Sequence, residues 1–181
     1  IEAPLRINIV SSDNPENWVA KKELAFGIIG LRGEAMLDWT HQDMIAYSVS
    51  SRELLDSVGF WYWENPANSF TIKVEKEGAI NPKLSPDKSK ILITDRRGDL
   101  YMSNFSRDSL EISWVQLTNL TDLEYILYPS WSEDGKKILY SKFFKNNPDK
   151  YSANLEIYDI KSEKTKVVCN NVYRGFWRKK E

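Results

Sequence analysis

The 181 residues contain one cysteine, Cys169, and one histidine, His41. A single cysteine excludes an intramolecular disulfide, and Cys169 reads as a small, semi-buried core residue. One residue of each kind also excludes a zinc site built from several His or Cys ligands. No apolar run approaches the ~18 residues that cross a bilayer, so membrane insertion is not expected. The net charge is only −1, with no basic field to attract nucleic acid and no acidic field to attract cations. There is no Gly-x-Ser-x-Gly elbow, no Walker-type loop and no G-x-G-x-x-G, because Gly27-Ile-Ile-Gly30 lacks that spacing. Helical periodicity is scarce. No Gly/Ser-rich or Pro-rich linker divides the chain, which argues for one domain.

What is abundant is aromatic: 13% of the chain, including seven Trp and nine Tyr. Large flat side chains of this kind fill the space between sheets. Three segments align: Leu37-Asp-Trp-Thr-His-Gln-Asp-Met-Ile-Ala-Tyr-Ser, Pro82-Lys-Leu-Ser-Pro-Asp-Lys-Ser-Lys-Ile-Leu-Ile-Thr and Pro129-Ser-Trp-Ser-Glu-Asp-Gly-Lys-Lys-Ile-Leu-Tyr-Ser. A fourth start appears at Gly175-Phe-Trp-Arg. The anchor positions Trp39, Leu84, Trp131 and Trp177 are 45, 47 and 46 residues apart, a period that marks a repeat architecture.

Each unit reads as strands. Ser85–Lys88 and Ser132–Lys136 are turns, where Pro presets φ, Asp bonds its own backbone and Gly supplies positive φ. Second strands follow at Ile45–Val49, Lys90–Thr94 and Lys137–Phe143, third strands at Gly59–Glu64, Asp99–Phe105 and Asn154–Ile160, and fourth strands at Ser69–Glu75, Ile112–Leu117 and Thr165–Val168. Asp122–Leu127 reads as a short helical turn or a loop. Asn146–Lys150 reads as a loop. Four short strands in about 46 residues make one blade of a β-propeller.

Pro129-Ser-Trp-Ser-Glu-Asp-Gly-Lys-Lys-Ile-Leu-Tyr, then Leu155-Glu-Ile-Tyr-Asp-Ile, resembles the TolB-like, or WD-repeat-like, propeller motif. Gln116-Leu117-Thr118 matches that motif's closing strand, and Pro82–Ile93 matches its opening with Leu84 in place of Trp. The unit at Trp39 lacks the Pro-Asp-Gly turn. The resemblance covers residues 36–179 well and 1–35 weakly. It implies an all-β fold of four-stranded blades, about four in number, either a closed ring or part of a larger one. The units are 1–35 as a partial blade, 36–80, 81–127 and 128–172 as blades, and 173–181 as a first strand completing the N-terminal blade. Leu5–Val10, Trp18–Leu24 and Ala25–Leu31 would then be strands two to four of that composite blade. The chain begins with Ile1, and a signal peptide ahead of it stays open.

Chemistry is sparse. His41 reads as a polar turn residue. Asp95-Arg-Arg-Gly-Asp99 is either a calcium site with oxygen ligands or, the favoured reading, a tight turn with Gly98 at positive φ. Asp149 and Asp159 read as turn and strand-end residues. In the aromatic run Phe60-Trp-Tyr-Trp63, Phe60 and Tyr62 point one way and Trp61 and Trp63 the other, as in a strand held between two blades. The other reading of that run is a binding face. The candidate partner-binding residues are Trp61, Trp63, Tyr125 and Tyr128. No catalytic, cofactor or metal residues are assigned.

The TolB-like resemblance implies a non-enzymatic scaffold that binds another protein, in a periplasmic or extracellular complex. Two alternatives stand beside it. One is a propeller accessory domain of a prolyl-oligopeptidase-like peptidase or a carbohydrate-active enzyme. The other is a structural subunit of a self-assembling surface complex, a homo-oligomer whose copies complete the ring.

Overall fold

A computed structural model describes residues 5–10, 20–26, 37–41, 43–49, 57–62, 65–74, 80–106, 113–147 and 150–177. The strands fall into four antiparallel sheets, three of them four-stranded with strands in chain order. The first pair is β1 (Leu5–Val10) and β2 (Ala20–Phe26), which form a two-stranded ribbon. Sheet one holds β3 (Leu37–His41), β4 (Met44–Val49), β5 (Ser57–Tyr62) and β6 (Phe70–Lys73), with a 3-10 turn at Pro66–Asn68. Sheet two holds β7 (Ile80–Leu84), β8 (Lys90–Thr94), β9 (Leu100–Asn104) and β10 (Val115–Gln116). Sheet three holds β11 (Glu124–Trp131), β12 (Lys137–Asn147), β13 (Lys150–Asp159) and β14 (Lys164–Asn170).

The sheets stack face to face, and the side-chain alternation of a strand decides which residues meet across each gap. Met44, Ala46, Val58, Phe60 and Ile72 of sheet one pack with Leu84, Ile91, Ile93 and Tyr101 of sheet two. From the opposite face of sheet two, Leu92 and Leu100 pack with Ile126, Ile138, Tyr140 and Tyr158 of sheet three. Ile91-Leu92-Ile93 is therefore a continuous apolar run because both faces of β8 are covered. Removing such side chains from water is the main favourable contribution, about 1.5–3 kcal/mol for each large apolar one. The first strands of the three sheets lie side by side, β3 against β7 and β7 against β11, so they form the inner edge of an arc.

The turns between first and second strands repeat at the level of single bonds. The Ser85 Oγ–H donates to Asp87 Oδ1 at 2.6 Å, and the Lys90 N–H returns to Ser85 Oγ at 2.9 Å. Ser132, Asp134 and Lys137 repeat this at 2.7 and 2.9 Å. These bonds hold the Asp87 and Asp134 carboxyls below the usual carboxylate range. The left-handed position is Lys88 (φ 57) in one turn and Gly135 (φ 65) in the other. Glycine takes that conformation without strain.

Several expectations change. Asp122–Leu127 is neither helix nor loop: a turn at Asp122–Leu123 leads into β11, because Tyr-Ile-Leu pairs in register with the long β12. Asn146–Lys150 is not wholly a loop, since β12 runs through Asn147 and β13 resumes at Lys150. Of the fourth strand expected over Ile112–Leu117, Ile112 lies outside the described residues, and residues 113–117 form a strand only at Val115–Gln116. Cys169 is exposed, because it lies on β14, the edge strand of its sheet, whose residues are all solvent-facing. Residues 173–177 carry no strand pairing, although they occupy the place of a first strand. At the other end, Ala25 and Phe26 close β2, and residues 27–31 lie outside the described residues.

Candidate functional site

The inner edges of the three sheets enclose a cleft of about 440 Å³ lined by Asp38, His41, Lys83, Leu84, Pro86, Ser130, Trp131 and Glu133. Each sheet contributes from one repeat position, the end of its first strand and the turn that follows. Asp38 and His41 come from β3, Lys83 and Leu84 from β7, and Ser130 and Trp131 from β11.

The walls are held by bonds that cross from sheet to sheet. Asp38 is 3% exposed. Its Oδ2 accepts the Leu84 backbone N–H at 3.0 Å, and its Oδ1 meets Lys83 Nζ at 3.3 Å. A buried carboxylate needs such partners, since an isolated charge out of water is strongly disfavoured. His41 Nε2 lies 3.1 Å from the Ser85 carbonyl, an acceptor, so the ring proton on that nitrogen is donated. At the next junction the Trp131 indole N–H donates to the Lys83 carbonyl at 3.0 Å. On the rim, Lys88 Nζ pairs with Asp43 at 2.7 and 2.9 Å, and this pairing holds the Asp43 carboxyl below its ordinary range. The exposed Glu133 stands at the cleft mouth. A cleft of this size, with an indole wall and a few fixed polar groups, suits a peptide side chain or a small polar ligand.

The sequence-derived candidates fall elsewhere. Trp61 is on β5, 5% exposed, on the face of sheet one opposite Phe60. Trp63 lies outside the described residues. Tyr125 and Tyr128 are together on β11, the inner edge of sheet three. Tyr125 stacks on Phe143 with ring centroids 5.1 Å apart, and the Arg174 guanidinium lies 4.8 Å from the Tyr128 ring centre. The structure thus joins Tyr125 and Tyr128 at one edge and keeps Trp61 on another sheet.

Asp95 and Asp99 have specific backbone partners. Asp95 Oδ1 accepts the N–H groups of Arg97 and Asp99, at 3.0 and 2.9 Å. Asp99 Oδ1 accepts the Thr118 hydroxyl at 3.0 Å and the Leu120 N–H at 2.9 Å. Gly98 sits between them at φ 93, and a Cβ there would lie 2.5 Å from Tyr125 Cβ, so the turn and the close approach of β11 both require glycine. Asp159 likewise caps its own hairpin through the Ser162 N–H and hydroxyl, each at 2.9 Å. Asp149 lies outside the described residues. Among the described residues, no group of three or more His, Cys, Asp and Glu is placed to hold a metal ion, and no helix is long and apolar enough to cross a membrane.

Sequence reasoning missed Asp38, Lys83 and Glu133. The available signal was their position, just before an anchor or in the turn after one, where a ring of repeats brings like positions together.

Sequential four-stranded sheets, stacked face to face with their first strands innermost, define a β-propeller. Solved propeller structures are similar in fold. The tricorn protease matches with a TM-score of 0.55 and 11% identity, over 76% of this chain and 13% of that one. Kluyveromyces lactis Hsv2 matches with a TM-score of 0.55 and 15% identity, over 86% of this chain and 43% of that one. Oligogalacturonate lyase from Vibrio parahaemolyticus matches with a TM-score of 0.52 and 11% identity, over 71% of this chain and 36% of that one. The matched region is thus less than half of each of these proteins. No protein-family model and no curated protein matches the chain.

Proposed function

We propose that this chain is a TolB-like propeller arc that works as a non-enzymatic, protein-binding scaffold in an extracytoplasmic complex. The observation that carries the reading is the inner-edge cleft. Three successive sheets bring Asp38 and His41, Lys83 and Pro86, and Trp131 and Glu133 to one surface that no single sheet possesses. Of the acids best placed for chemistry by sequence, Asp95 and Asp159 bond N–H groups of their own turns, and Asp99 accepts the Leu120 N–H and the Thr118 hydroxyl. Such an arrangement favours recognition by shape and fixed polar groups over proton transfer.

The test is capture of a partner from an envelope extract by the wild-type chain, repeated with Glu133→Arg. Glu133 is exposed, so its replacement leaves the fold intact. The expected outcome is a discrete captured protein whose yield falls at least tenfold with the variant. Equal yields would move the binding surface off the cleft, and no captured protein from native extracts would overturn the scaffold reading.

A second reading is the propeller part of a peptidase or a carbohydrate-active enzyme. The fold likeness to a tricorn protease and an oligogalacturonate lyase favours it. It requires a catalytic domain joined to this arc, and the arc alone is then inert toward both substrate classes.

A further inference from the structure

Most polar groups that line the inner-edge cleft have their bonding filled from within the chain. The Asp38 carboxylate takes the Leu84 N–H on Oδ2 and Lys83 Nζ on Oδ1, so the Asp38 and Lys83 charges offset one another. His41 donates its Nε2–H to the Ser85 carbonyl, and a neutral ring bonded in this way keeps Nδ1 as an acceptor. The Ser130 hydroxyl donates to the Leu139 carbonyl at 3.4 Å. Glu133 differs. It is exposed at the cleft mouth, and its carboxylate makes no ion pair or hydrogen bond among the described residues. It is therefore the lining charge that no other lining residue balances.

The walls beside Glu133 suit the rest of a basic side chain. The Trp131 ring packs against the core between sheets two and three, yet it is only half-buried and also lines the cleft. Its N–H is held by the Lys83 carbonyl at 3.0 Å, which fixes the plane of the ring. The turns that carry Pro86 and Glu133 are neighbours, since a Cβ on Gly135 would lie 3.6 Å from Pro86 Cδ. Pro86 is exposed and adds an apolar wall. A fixed indole attracts a cation over its face, and the aliphatic stem of a long basic side chain covers apolar surface. A carboxylate binds a guanidinium through two parallel N–H bonds.

The geometry points to a receptor for a basic side chain of the partner, arginine above all, with its stem along Trp131 and Pro86 and its guanidinium on the Glu133 carboxylate. This inference rests on the reading of the cleft as a protein-binding site and names the chemistry recognised there. Charge complementarity selects the occupant. An acidic side chain meets Glu133 with like charge and finds the Lys83 cation already set against Asp38. An apolar side chain takes water from the Glu133 carboxylate and returns no partner to it. Lysine fits less well than arginine, because a compact ammonium neither stacks flat on an indole nor forms a two-bond pair with a carboxylate.

The test is a titration of the chain with an acetylated, amidated Ala-Arg-Ala tripeptide, read at the assigned Trp131 indole N–H in proton–nitrogen correlation spectra. The same tripeptide with citrulline, the neutral isostere of arginine, is the control. The arginine peptide is expected to move the Trp131 resonance saturably, and the citrulline peptide to bind about tenfold more weakly. Glu133→Gln is expected to raise the dissociation constant of the arginine peptide about fivefold, and Glu133→Lys to abolish saturable binding. Added salt should weaken wild-type binding. Circular dichroism checks that both variants keep the strand signal. A Trp131 resonance that does not move, equal binding of the two peptides, or an unchanged dissociation constant in Glu133→Gln would each overturn the inference. The scaffold reading fails separately. A partner captured through Glu133 while the arginine peptide leaves Trp131 unmoved keeps that reading and overturns this inference. Peptide binding with no partner captured supports the basic-side-chain site and overturns the scaffold.

Discussion

The two junctions between sheets have the same geometry and different chemistry. Where sheet one meets sheet two, the anchor is Leu84, whose side chain has no donor. The tie is made by a buried carboxylate: Asp38 accepts the Leu84 N–H and pairs with Lys83, while Asp43 and Lys88 pair on the rim. Where sheet two meets sheet three, the anchor is Trp131, and a neutral indole N–H makes the tie to the Lys83 carbonyl. There the Ile126 N–H also bonds the Gly98 carbonyl at 3.1 Å, backbone to backbone. The repeat thus prescribes where a first strand must sit, and leaves open which group holds it. One junction is tied through a buried carboxylate and the other through a neutral indole, with its charged pair, Arg97 and Asp122, out in solvent.

The largest effect that would break this comparison comes from Asp38→Ala. It leaves the buried Leu84 N–H without its carboxylate acceptor and removes the Asp38–Lys83 pair, and should lower stability by about 2–3 kcal/mol in denaturant unfolding. Trp131→Phe keeps most of the packing and removes one neutral hydrogen bond, so it should lower stability by about 1 kcal/mol in the same measurement. Equal losses would mean that the junctions do not differ in kind. The smallest effect is on pH. Pairing with Lys88 holds the Asp43 carboxyl below its unfolded value, so its contribution is complete above the unfolded carboxylate pKa of about 4 and is lost as pH falls through the lower folded value. The gap in melting temperature between wild type and Asp43→Asn should therefore be present at pH 7 and shrink toward zero below pH ~3. A constant gap would show that the rim pair acts through shape. Both side chains are well exposed, which keeps this effect small.

Much of the fold was legible in the residues. The β-branched runs at Lys90–Thr94 and Lys137–Phe143 read as strands, and strands stand there in the structure, each after a Ser-x-Asp turn. The misses have physical causes. β10 is two residues long because Thr118 and Leu120 are drawn to Asp99 instead of continuing the ladder. Asp122–Leu127 read ambiguously because a short apolar run carries no period of its own, and only its pairing with β12 makes it a strand. Equivalent positions also differ in how well they are satisfied. Asn81, at positive φ before Pro82, donates to the Thr94 hydroxyl at 3.2 Å. Tyr128 holds the same conformation before Pro129, but the buried Ser141 hydroxyl at the matching position has no hydrogen-bond partner among the described residues.

The candidate site was far less legible. Of the candidates, Trp61 is buried, and Tyr125 and Tyr128 pack at the inner edge of sheet three. The cleft residues Asp38, Lys83 and Glu133 look ordinary one by one. The sequence alone determined the local things: strand, turn and repeat length, since these follow from alternation, turn chemistry and spacing within some 50 residues. Only the tertiary structure decided which group ties each sheet to the next and which side chains share the cleft. Those depend on contacts between residues about 45 positions apart, whose distance is set by sheet stacking and not by the chain between them.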